Sequence, residues 1–354
     1  MKKKLSHHAL KYLVEALGAL PGSLQKKIGA GRLDLPGHTL CPEVSMFLRL
    51  MGDIDAANPQ NRPMDQVRAQ TDLDAWTFGG REIPLHSVRA LSIDADPRPI
   101  PARHYVGSPD AKGVLLYFHG GAWVSGGLDS CDSICRYLAR YADIHVVSVD
   151  YRLAPEHVYP AALDDAKAAY RYTLDHLASF GGVPCFVAVG GDSAGGNLAA
   201  ALCRKVLSSD WPMPHYQLLF YPVLDVLNKS RAYQTFSSGY VLSEAQMDWA
   251  KALYAPEGNY QDLGLSPATA SSLAGLPPAY VATAEFDVLR DEGEFYAARL
   301  SAFAPATRLR RAPGLIHGFA NMMGVSRTAR AEMQRAAEAL ATARTNWADR
   351  PITG

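Results

Sequence analysis

The stretch from Cys185 to Gly196, CFVAVGGDSAGG, decides the fold. Its first five residues are apolar and predict a buried strand, while a helical pattern begins directly after it. Between the two lies Gly-x-Ser-x-Gly, with Ser193 at its centre and only small residues around it. A strand that turns this sharply into a helix strains the backbone of the serine and lifts its hydroxyl clear of the sheet. The pattern therefore predicts a nucleophile elbow; the alternative is an ordinary glycine-rich turn capped by Ser193 or Asp192.

Further short apolar runs lie on both sides of this stretch and alternate with longer helical patterns. We predict strands at residues 114–118, 145–149, 185–189, 216–220 and 279–283, with a more polar edge strand at 307–311. Helical patterns cover residues 130–141, 161–179, 195–208 and 292–303. This alternation is typical of an α/β fold with a mostly parallel central sheet and helices on both faces.

Two regions depart from the alternation and predict a helical cap. Residues 1–90 contain helical pieces and breakers but little strand pattern, and residues 225–275 form a long insertion with a helix near 243–255. Insertions of this size commonly carry a function of their own, such as a lid over a site. We therefore expect a main domain over residues 91–354, and a cap formed by residues 1–90 together with the insertion.

Composition excludes several classes of protein. The chain has 354 residues, of which 48% are hydrophobic, so it is not intrinsically disordered. Its 35 Lys and Arg balance its 35 Asp and Glu, which leaves no net basic field for nucleic acid or for an anionic membrane. No run of about 18 apolar residues is available for a membrane span. We expect neither a nucleic-acid partner nor stable membrane association.

The N-terminus and the cysteines bear on cellular location. The basic start at residues 2–4 resembles a signal peptide, but Lys11 and Glu15 interrupt the apolar run that follows, so an amphipathic helix fits better. The five cysteines are an odd number and show no zinc-ligand spacing, which favours buried reduced thiols and no metal. We predict a cytoplasmic protein.

A second motif, HGGAW at residues 119–123, directly follows the first strong strand. Backbone N–H groups fixed in such a glycine-rich loop can stabilise the negative charge of a tetrahedral intermediate. Ala122 replaces a third glycine but keeps its N–H. Since the loop works through its backbone, we expect His119 to brace the loop rather than to act as a base.

A serine nucleophile needs a base and an orienting carboxylate, in the chain order serine, acid, histidine. Downstream of Ser193 the only histidines are His215, in a proline-rich surface loop, and His317, in a loop with glycine nearby. His317 is therefore the candidate base. The candidate acid is Asp287, near the end of the strand predicted at 279–283, with Glu285 and Asp291 as rivals.

Six motifs occur together and in order: HGGAW at 119–123, DYRLAPE at 150–156, GDSAGG at 191–196, LPP at 276–278, DVLRDEG at 287–293 and IHGF at 316–319. With them the chain resembles the hormone-sensitive-lipase family of α/β-hydrolases, the bacterial family IV carboxylesterases. The resemblance implies an α/β-hydrolase fold with a cap, Ser193 as nucleophile, His317 as base and Asp287 as acid. It also implies an oxyanion hole formed by Gly120, Gly121, Ala122 and the N–H of Ala194.

Two positions depart from the family pattern: Ala122 stands for the commoner glycine, and Val288 for the usual proline. Chemistry alone gives no catalytic role to residues 150–156, so we expect a polar network of Arg152 and Glu156 that braces the loops. Three aromatic residues flank the motifs and are candidates for the substrate pocket, with core packing as the alternative: Trp123, Phe286 and Phe319.

The function that the resemblance implies is metal-free and cofactor-free hydrolysis of carboxylic esters of short-chain acyl groups, through an acyl-enzyme. An amidase or arylacetamide deacetylase on the same scaffold is one alternative. A non-catalytic small-molecule receptor is another, and the retained Ser193, Asp287 and His317 count against it. A membrane-surface lipase has only the basic start and the amphipathic first helix in its favour. The expected partner is a small-molecule ester, and a homodimer stays open.

Overall fold

The apolar runs pair into one sheet, with strands in the order β1-β2-β4-β3-β5-β6-β7-β8. A computed structural model describes residues 5–30, 35–52 and 59–349, so the basic start at residues 2–4 lies outside the described residues. The strands are β1 Ser87–Ile93, β2 Ile100–Val106, β3 Val114–Phe118, β4 His145–Val149, β5 Val187–Asp192, β6 Tyr216–Phe220, β7 Ala279–Phe286 and β8 Arg308–Ile316. Strands β4 to β8 and β3 run parallel, whereas β1 pairs with β2, and β2 with β4, in antiparallel fashion.

Helices cover both faces of this sheet, which confirms the predicted fold class. They are α1 Leu5–Gly18, α2 Gly22–Gly29, α3 Pro42–Met51, α4 Met64–Phe78, α5 Asp132–Tyr141, α6 Ala161–Asp175, α7 Ala194–Leu207, α8 Arg231–Thr235, α9 Glu244–Tyr254, α10 Arg290–Ser301 and α11 Arg327–Ala348. Helix α7 packs on β3, β5 and β6, and α5 and α11 contact each other. No helix in the described ranges is long and apolar enough to cross a membrane.

The buried core follows from side-chain size and spacing. Every residue of β3, β4 and β6 is buried, as expected of parallel strands covered on both faces. Helix α7 begins AGGNLAAALC, and all ten of these residues are buried, because small side chains let the helix lie close to the sheet.

The two antiparallel strands were missed by the sequence analysis. Strand β1 lies at the edge of the sheet, and the predicted boundary between residues 90 and 91 falls inside it. Its residues are mostly half-buried or exposed, and Arg89 and Ser92 interrupt the apolar pattern. Strand β2 carries Pro101, Arg103 and His104. Neither strand has the apolar run from which β3 to β7 were predicted.

The N-terminal amphipathic helix forms as α1, but most of its apolar side chains stay in solvent. Leu5 is 88% exposed and Tyr12 66% exposed. The helix instead packs on α4 through polar groups: Lys11 Nζ donates to the Trp76 carbonyl at 2.6 Å, and the His8 ring meets the Trp76 ring edge-on.

Candidate active site

Ser193 lies on the tight turn between β5 and α7. Its backbone has φ +56° and ψ −118°, a combination that residues with a side chain rarely adopt. The strand-to-helix turn predicted from GDSAGG is therefore present, and it carries backbone strain at the serine. This strain holds the hydroxyl at the carboxyl edge of the sheet and at the N-terminus of α7.

The glycines beside Ser193 are required by close backbone contacts. A Cβ atom at Gly195 would lie 1.9 Å from the Phe118 carbonyl oxygen, and one at Gly191 would lie 2.4 Å from the same atom. A Cβ at Gly196 would lie 2.7 Å from the Pro222 side chain. The turn can therefore approach β3 only without side chains at Gly191 and Gly195, and α7 can approach Pro222 only without one at Gly196.

Ser193, His317 and Asp287 form one hydrogen-bonded chain. The distance from His317 Nε2 to Ser193 Oγ is 2.9 Å, and that from His317 Nδ1 to Asp287 Oδ2 is 2.8 Å. A carboxylate can only accept, so Nδ1 carries the proton and Nε2 is free to accept from the serine hydroxyl. The other Asp287 oxygen accepts from the Leu289 N–H at 3.0 Å, which fixes the carboxylate. All three side chains are buried.

The rival acids are occupied elsewhere. Glu285 contacts His38 Nδ1 at 2.9 Å and accepts from the Gly314 N–H at 2.7 Å. Asp291 accepts from the Ala232 N–H at the start of α8 and from Arg290. Neither rival contacts His317.

The second downstream histidine is far from the serine. His215 Nδ1 accepts from the Val187 N–H at 2.9 Å, at the beginning of β5 and hence at the opposite end of that strand from Ser193. Its ring packs on Phe186 and Trp347. The structure thus brings together the serine, the histidine and the acid that the sequence singled out.

The HGGAW loop follows β3 and presents backbone N–H groups beside Ser193. Within the described part of the chain, the N–H groups of Gly121, Ala122 and Ala194 have no intramolecular acceptor. Gly120 differs, because its N–H donates to Asp192 Oδ1 at 2.9 Å. The prediction that Gly120 supplies an oxyanion donor is therefore wrong for this structure: its N–H fastens the loop to the elbow.

Buried polar groups brace this loop from below. Asp192 also accepts from the Tyr117 hydroxyl at 2.8 Å. The His119 ring stacks on Tyr151 at 4.2 Å, and its Nδ1 donates to the Gly120 carbonyl at 2.7 Å. Burial lowers the pKa of His119 to about 4, so the ring is neutral at physiological pH. His119 therefore occupies the bracing position expected for it.

A cavity of about 360 Å³ opens above Ser193 and His317. One wall comes from α4 and the other from the insertion, through Val241, Leu242 and Trp249. The two regions predicted to form a cap therefore meet over the serine. A larger cavity of about 610 Å³ lies between α1, α5 and the start of α11, and no residue of the Ser193–His317–Asp287 chain lines it.

The three aromatic candidates for the pocket are in the core instead. Trp123, Phe286 and Phe319 are fully buried and do not line the cavity. Trp123 stacks on Tyr254 with ring centres 4.6 Å apart, and Phe319 packs edge-on against Tyr221. Their place next to motifs reflects packing beneath the loops. Two other aromatic residues do line the cavity: Tyr221, directly after β6, and Trp249, in the helix predicted near 243–255.

The polar network expected of Arg152 and Glu156 is two separate networks. Arg152 pairs with Asp165 at 2.8 Å. Glu156 receives two hydrogen bonds from Arg68 on α4, at 2.6 and 2.9 Å, and Arg68 also donates to the carbonyls of Val124 and Ala154. The second network therefore ties α4 to the loops of the main domain.

The described residues contain no cluster of three or more His, Cys, Asp or Glu side chains that could hold a metal ion. The five cysteines are free thiols, and burial raises the pKa of Cys41 to about 12 and that of Cys185 to about 11. Such thiols are poor nucleophiles at neutral pH, so Ser193 is the better candidate nucleophile.

Comparison with known proteins places this geometry among the ester hydrolases. A family profile described as the alpha/beta hydrolase fold matches residues 115–321. The carboxylic ester hydrolase LipN of Mycobacterium tuberculosis is 40% identical over 321 residues, which cover 87% of this chain and 85% of LipN. The ethyl acetate hydrolase of Pseudomonas putida is 32% identical, over 85% of this chain and 98% of its own.

Solved structures agree. The ester-hydrolase EH1AB1 from the metagenome of Lake Arreo, complexed with a derivative of bipyridine phosphonate, is 38% identical to this chain. The superposition has a TM-score of 0.78 and covers 88% of this chain and 100% of that one.

Proposed function

The chain belongs to the hormone-sensitive-lipase-like, family IV esterases of the α/β-hydrolase fold and is a carboxylesterase, and on that premise we propose that it cleaves short-chain carboxylic esters with Ser193, His317 and Asp287. The observation that carries the proposal is the unbroken chain of hydrogen bonds from Asp287 through His317 to the Ser193 hydroxyl.

In the first half-reaction, Ser193 Oγ attacks the ester carbonyl carbon while His317 Nε2 takes its proton. Asp287 holds the ring in the tautomer with Nε2 unprotonated and stabilises the imidazolium that forms. Collapse of the tetrahedral intermediate breaks the bond to the alcohol oxygen, which leaves with the proton held by His317. The product of this step is an ester of Ser193 with the acyl group.

The negative charge on the former carbonyl oxygen is received by backbone N–H groups. Gly121, Ala122 and Ala194 have donors without intramolecular acceptors in the described residues, and Ala194 begins α7, where the helix dipole also favours negative charge. Loss of one such donor typically costs on the order of 3 kcal/mol of transition-state stabilisation.

Water completes the cycle. His317 Nε2 removes a proton from a water molecule that attacks the acyl carbon, and the same donors receive the charge. Ser193 Oγ then leaves and takes the proton from His317, so the acid is released and the enzyme returns to its starting state.

Cavity size supports a short acyl chain. A volume of about 360 Å³ lies at the low end of the range for small-molecule sites. Val241, Leu242 and Trp249 supply apolar wall area for a few methylene groups. The relative from Pseudomonas putida is named for hydrolysis of ethyl acetate, which agrees with this size.

Hydrolysis of p-nitrophenyl esters tests the assignment. We expect Ser193→Ala to lower kcat by at least about 1,000-fold and to abolish labelling by a fluorophosphonate. Asp287→Asn should lower kcat about 100-fold or more because His317 loses its orienting acceptor. Glu285→Gln and Asp291→Asn are the matched controls. Hydrolysis that survives Ser193→Ala, or a control that is worse than Asp287→Asn, contradicts the assigned roles.

Chain length and bond type are tested in the same assay. We expect kcat/KM to be higher for the acetate and butyrate than for the palmitate, since a cavity of about 360 Å³ can cover a short acyl chain but not all of a sixteen-carbon chain. A preference for palmitate contradicts the short-chain proposal. The matching p-nitroanilide shows whether amides are also cleaved, and faster cleavage of the anilide would favour the amidase alternative.

A further inference from the structure

One face of α4 forms a polar wall of the cavity above Ser193. Val67, Gln70, Thr71 and Asp74 all line this cavity. They occupy positions i, i+3, i+4 and i+7, which places them on one side of the helix. Three of these four side chains are polar, so the cap presents hydrogen-bonding groups to whatever part of a substrate lies beneath α4.

Asp74 is a carboxyl group with an unused oxygen in this wall. Oδ1 accepts from Gln70 Nε2 at 2.7 Å. In the described ranges, Asp74 has no ion-pair partner within 4 Å, and Oδ2 has no hydrogen-bond donor. Burial raises the pKa of Asp74 to about 6, with the Gln70 hydrogen bond and the charge of Arg62 opposing the rise. Asp74 is half-buried, and its second oxygen is free to accept a hydrogen bond from a ligand group in the cavity.

Asn321 contributes a second unused acceptor. It lies on the short 3-10 helix Phe319–Met322, which directly follows His317, and it lines the same cavity. Its Oδ1 is buried and has no hydrogen-bond partner in the part of the chain that the structure describes. Buried acceptors of this kind are normally satisfied. Two elements, α4 and the His317 loop, thus each bring an unsatisfied oxygen to one cavity.

The other polar groups of the wall do not satisfy these oxygens. Thr71 Oγ1 donates to the Val67 carbonyl in its own helix, and Gln246 Oε1 accepts from the Ser243 N–H at the start of α9. Arg62 also lines the cavity but is exposed. Among the described residues, no side chain therefore donates to Asp74 Oδ2 or to Asn321 Oδ1.

We propose that the polar face of α4 makes the enzyme selective for short-chain esters whose acyl or alcohol part carries a hydrogen-bond donor, a hydroxyl or an ammonium group, which Asp74 and Asn321 accept. The inference rests on the proposed function, since it assigns the substrate class of the same site. A purely aliphatic ester leaves Asp74 Oδ2 and Asn321 Oδ1 without a hydrogen-bond donor when it occupies the cavity. Its transition state is therefore bound less tightly than that of an ester with a donor.

Pairs of isosteric esters test the proposal. In the acyl series, ethyl 3-hydroxybutyrate is compared with ethyl 3-methylbutyrate. In the alcohol series, 2-hydroxyethyl butyrate is compared with propyl butyrate, and 2-(dimethylamino)ethyl butyrate, which is protonated at pH 7, with 3-methylbutyl butyrate. Hydrolysis is followed by pH-stat titration, and the readout is the ratio of kcat/KM within each pair, which cancels any general loss of activity.

We expect the donor ester to be preferred by about tenfold or more in at least one pair. Asp74→Leu should bring that ratio to about one, and Asp74→Asn should abolish a preference for ammonium while keeping part of one for hydroxyl. Asp65→Leu is the matched control, because Asp65 lies exposed in the first turn of α4 and does not line the cavity, and it should keep the wild-type ratio.

The proposal is overturned if no pair differs by more than about twofold, or if the preference survives Asp74→Leu. Failure of the proposed function gives a different result: p-nitrophenyl butyrate is then not hydrolysed, or its hydrolysis survives Ser193→Ala.

Discussion

Gly195→Ala tests how closely the turn that carries Ser193 depends on backbone contact with β3. The added Cβ would lie 1.9 Å from the Phe118 carbonyl oxygen and 2.6 Å from that of His119. Both atoms are backbone, so no side chain can rotate away. Since Cβ atoms do not approach such atoms within 3.0 Å, α7 and β3 must separate by about 1.1 Å.

A separation of this size moves the Ser193 hydroxyl and the Ala194 N–H relative to the HGGAW loop. Misplacement of reacting groups by about 1 Å can cost about 100-fold in rate. Overpacking of a tight contact typically costs about 1–3 kcal/mol of folding stability. We therefore expect kcat for p-nitrophenyl butyrate to fall about 100-fold in Gly195→Ala, with a lower midpoint of thermal unfolding.

Gly127→Ala is the matched control, because the atom nearest to its Cβ would be Asp150 Oδ1 at 3.4 Å, an ordinary contact. We expect this variant to keep kcat within about twofold of the wild type. If Gly195→Ala retains kcat within about threefold and melts like the wild type, the turn is not held by this contact and the reasoning fails.

Three further changes have expected outcomes. Burial, with His145 and Arg89 nearby, lowers the pKa of His104 to about 4, below its unfolded value of about 6.5. Because the unfolded chain then binds a proton more readily, the contribution to stability is full above pH 6.5 and falls as the pH drops towards 4. Urea unfolding at pH 7 and pH 5 should show a loss of about 1–2 kcal/mol in the wild type and a smaller loss in His104→Phe; equal losses contradict the assignment. Arg68→Ala should lower the free energy of unfolding by about 1–3 kcal/mol, because the carbonyls of Val124 and Ala154 lose their donor. Glu156→Ala removes an exposed carboxylate and should cost less than about 1 kcal/mol. If thermal melts show the reverse order, Arg68 does not hold α4 to the loops through these carbonyls. Tyr117→Phe removes a donor to the buried Asp192 carboxyl and should cost about 1–3 kcal/mol in denaturant unfolding, and an unchanged midpoint is the contrary result.

Strands whose residues are all buried were predictable from the sequence. β3, β4 and β6 have the predicted bounds. Each of their apolar runs is followed closely by Gly, Asp or Pro, and these residues commonly end a strand. β5 begins two residues later than predicted and continues through Gly190 and Gly191. Glycine has little preference for strands, and these two residues are extended because β3 and β6 pair with them on either side. That pairing is a long-range contact that the local pattern does not contain.

The candidate site divides in the same way. Ser193, Asp287 and His317 were found because strained turns and loops require particular residue types, which leave a visible motif. The order of the residues predicts which act together, and only the packed sheet brings His317 into contact with Ser193, 124 positions away, and with Asp287, 30 positions away. The hydrogen bond from the Gly120 N–H to Asp192 could not be predicted, because the sequence does not show whether a backbone N–H has an acceptor within the protein.

The walls of the cavity were the least predictable part, and the reason bears on specificity. They come from α4 and the insertion, which approach Ser193 only through tertiary packing. A position next to a motif in the sequence is therefore a poor guide to the cavity wall. That criterion selected Trp123, Phe286 and Phe319, which are buried in the core. The proposed reaction depends on backbone geometry that few residue types permit. The proposed choice of substrate depends on side chains of α4, which can be substituted at little cost to the fold. Substitution at Asp74 should therefore alter which ester is preferred, whereas substitution at Gly195 should alter whether any ester is cleaved.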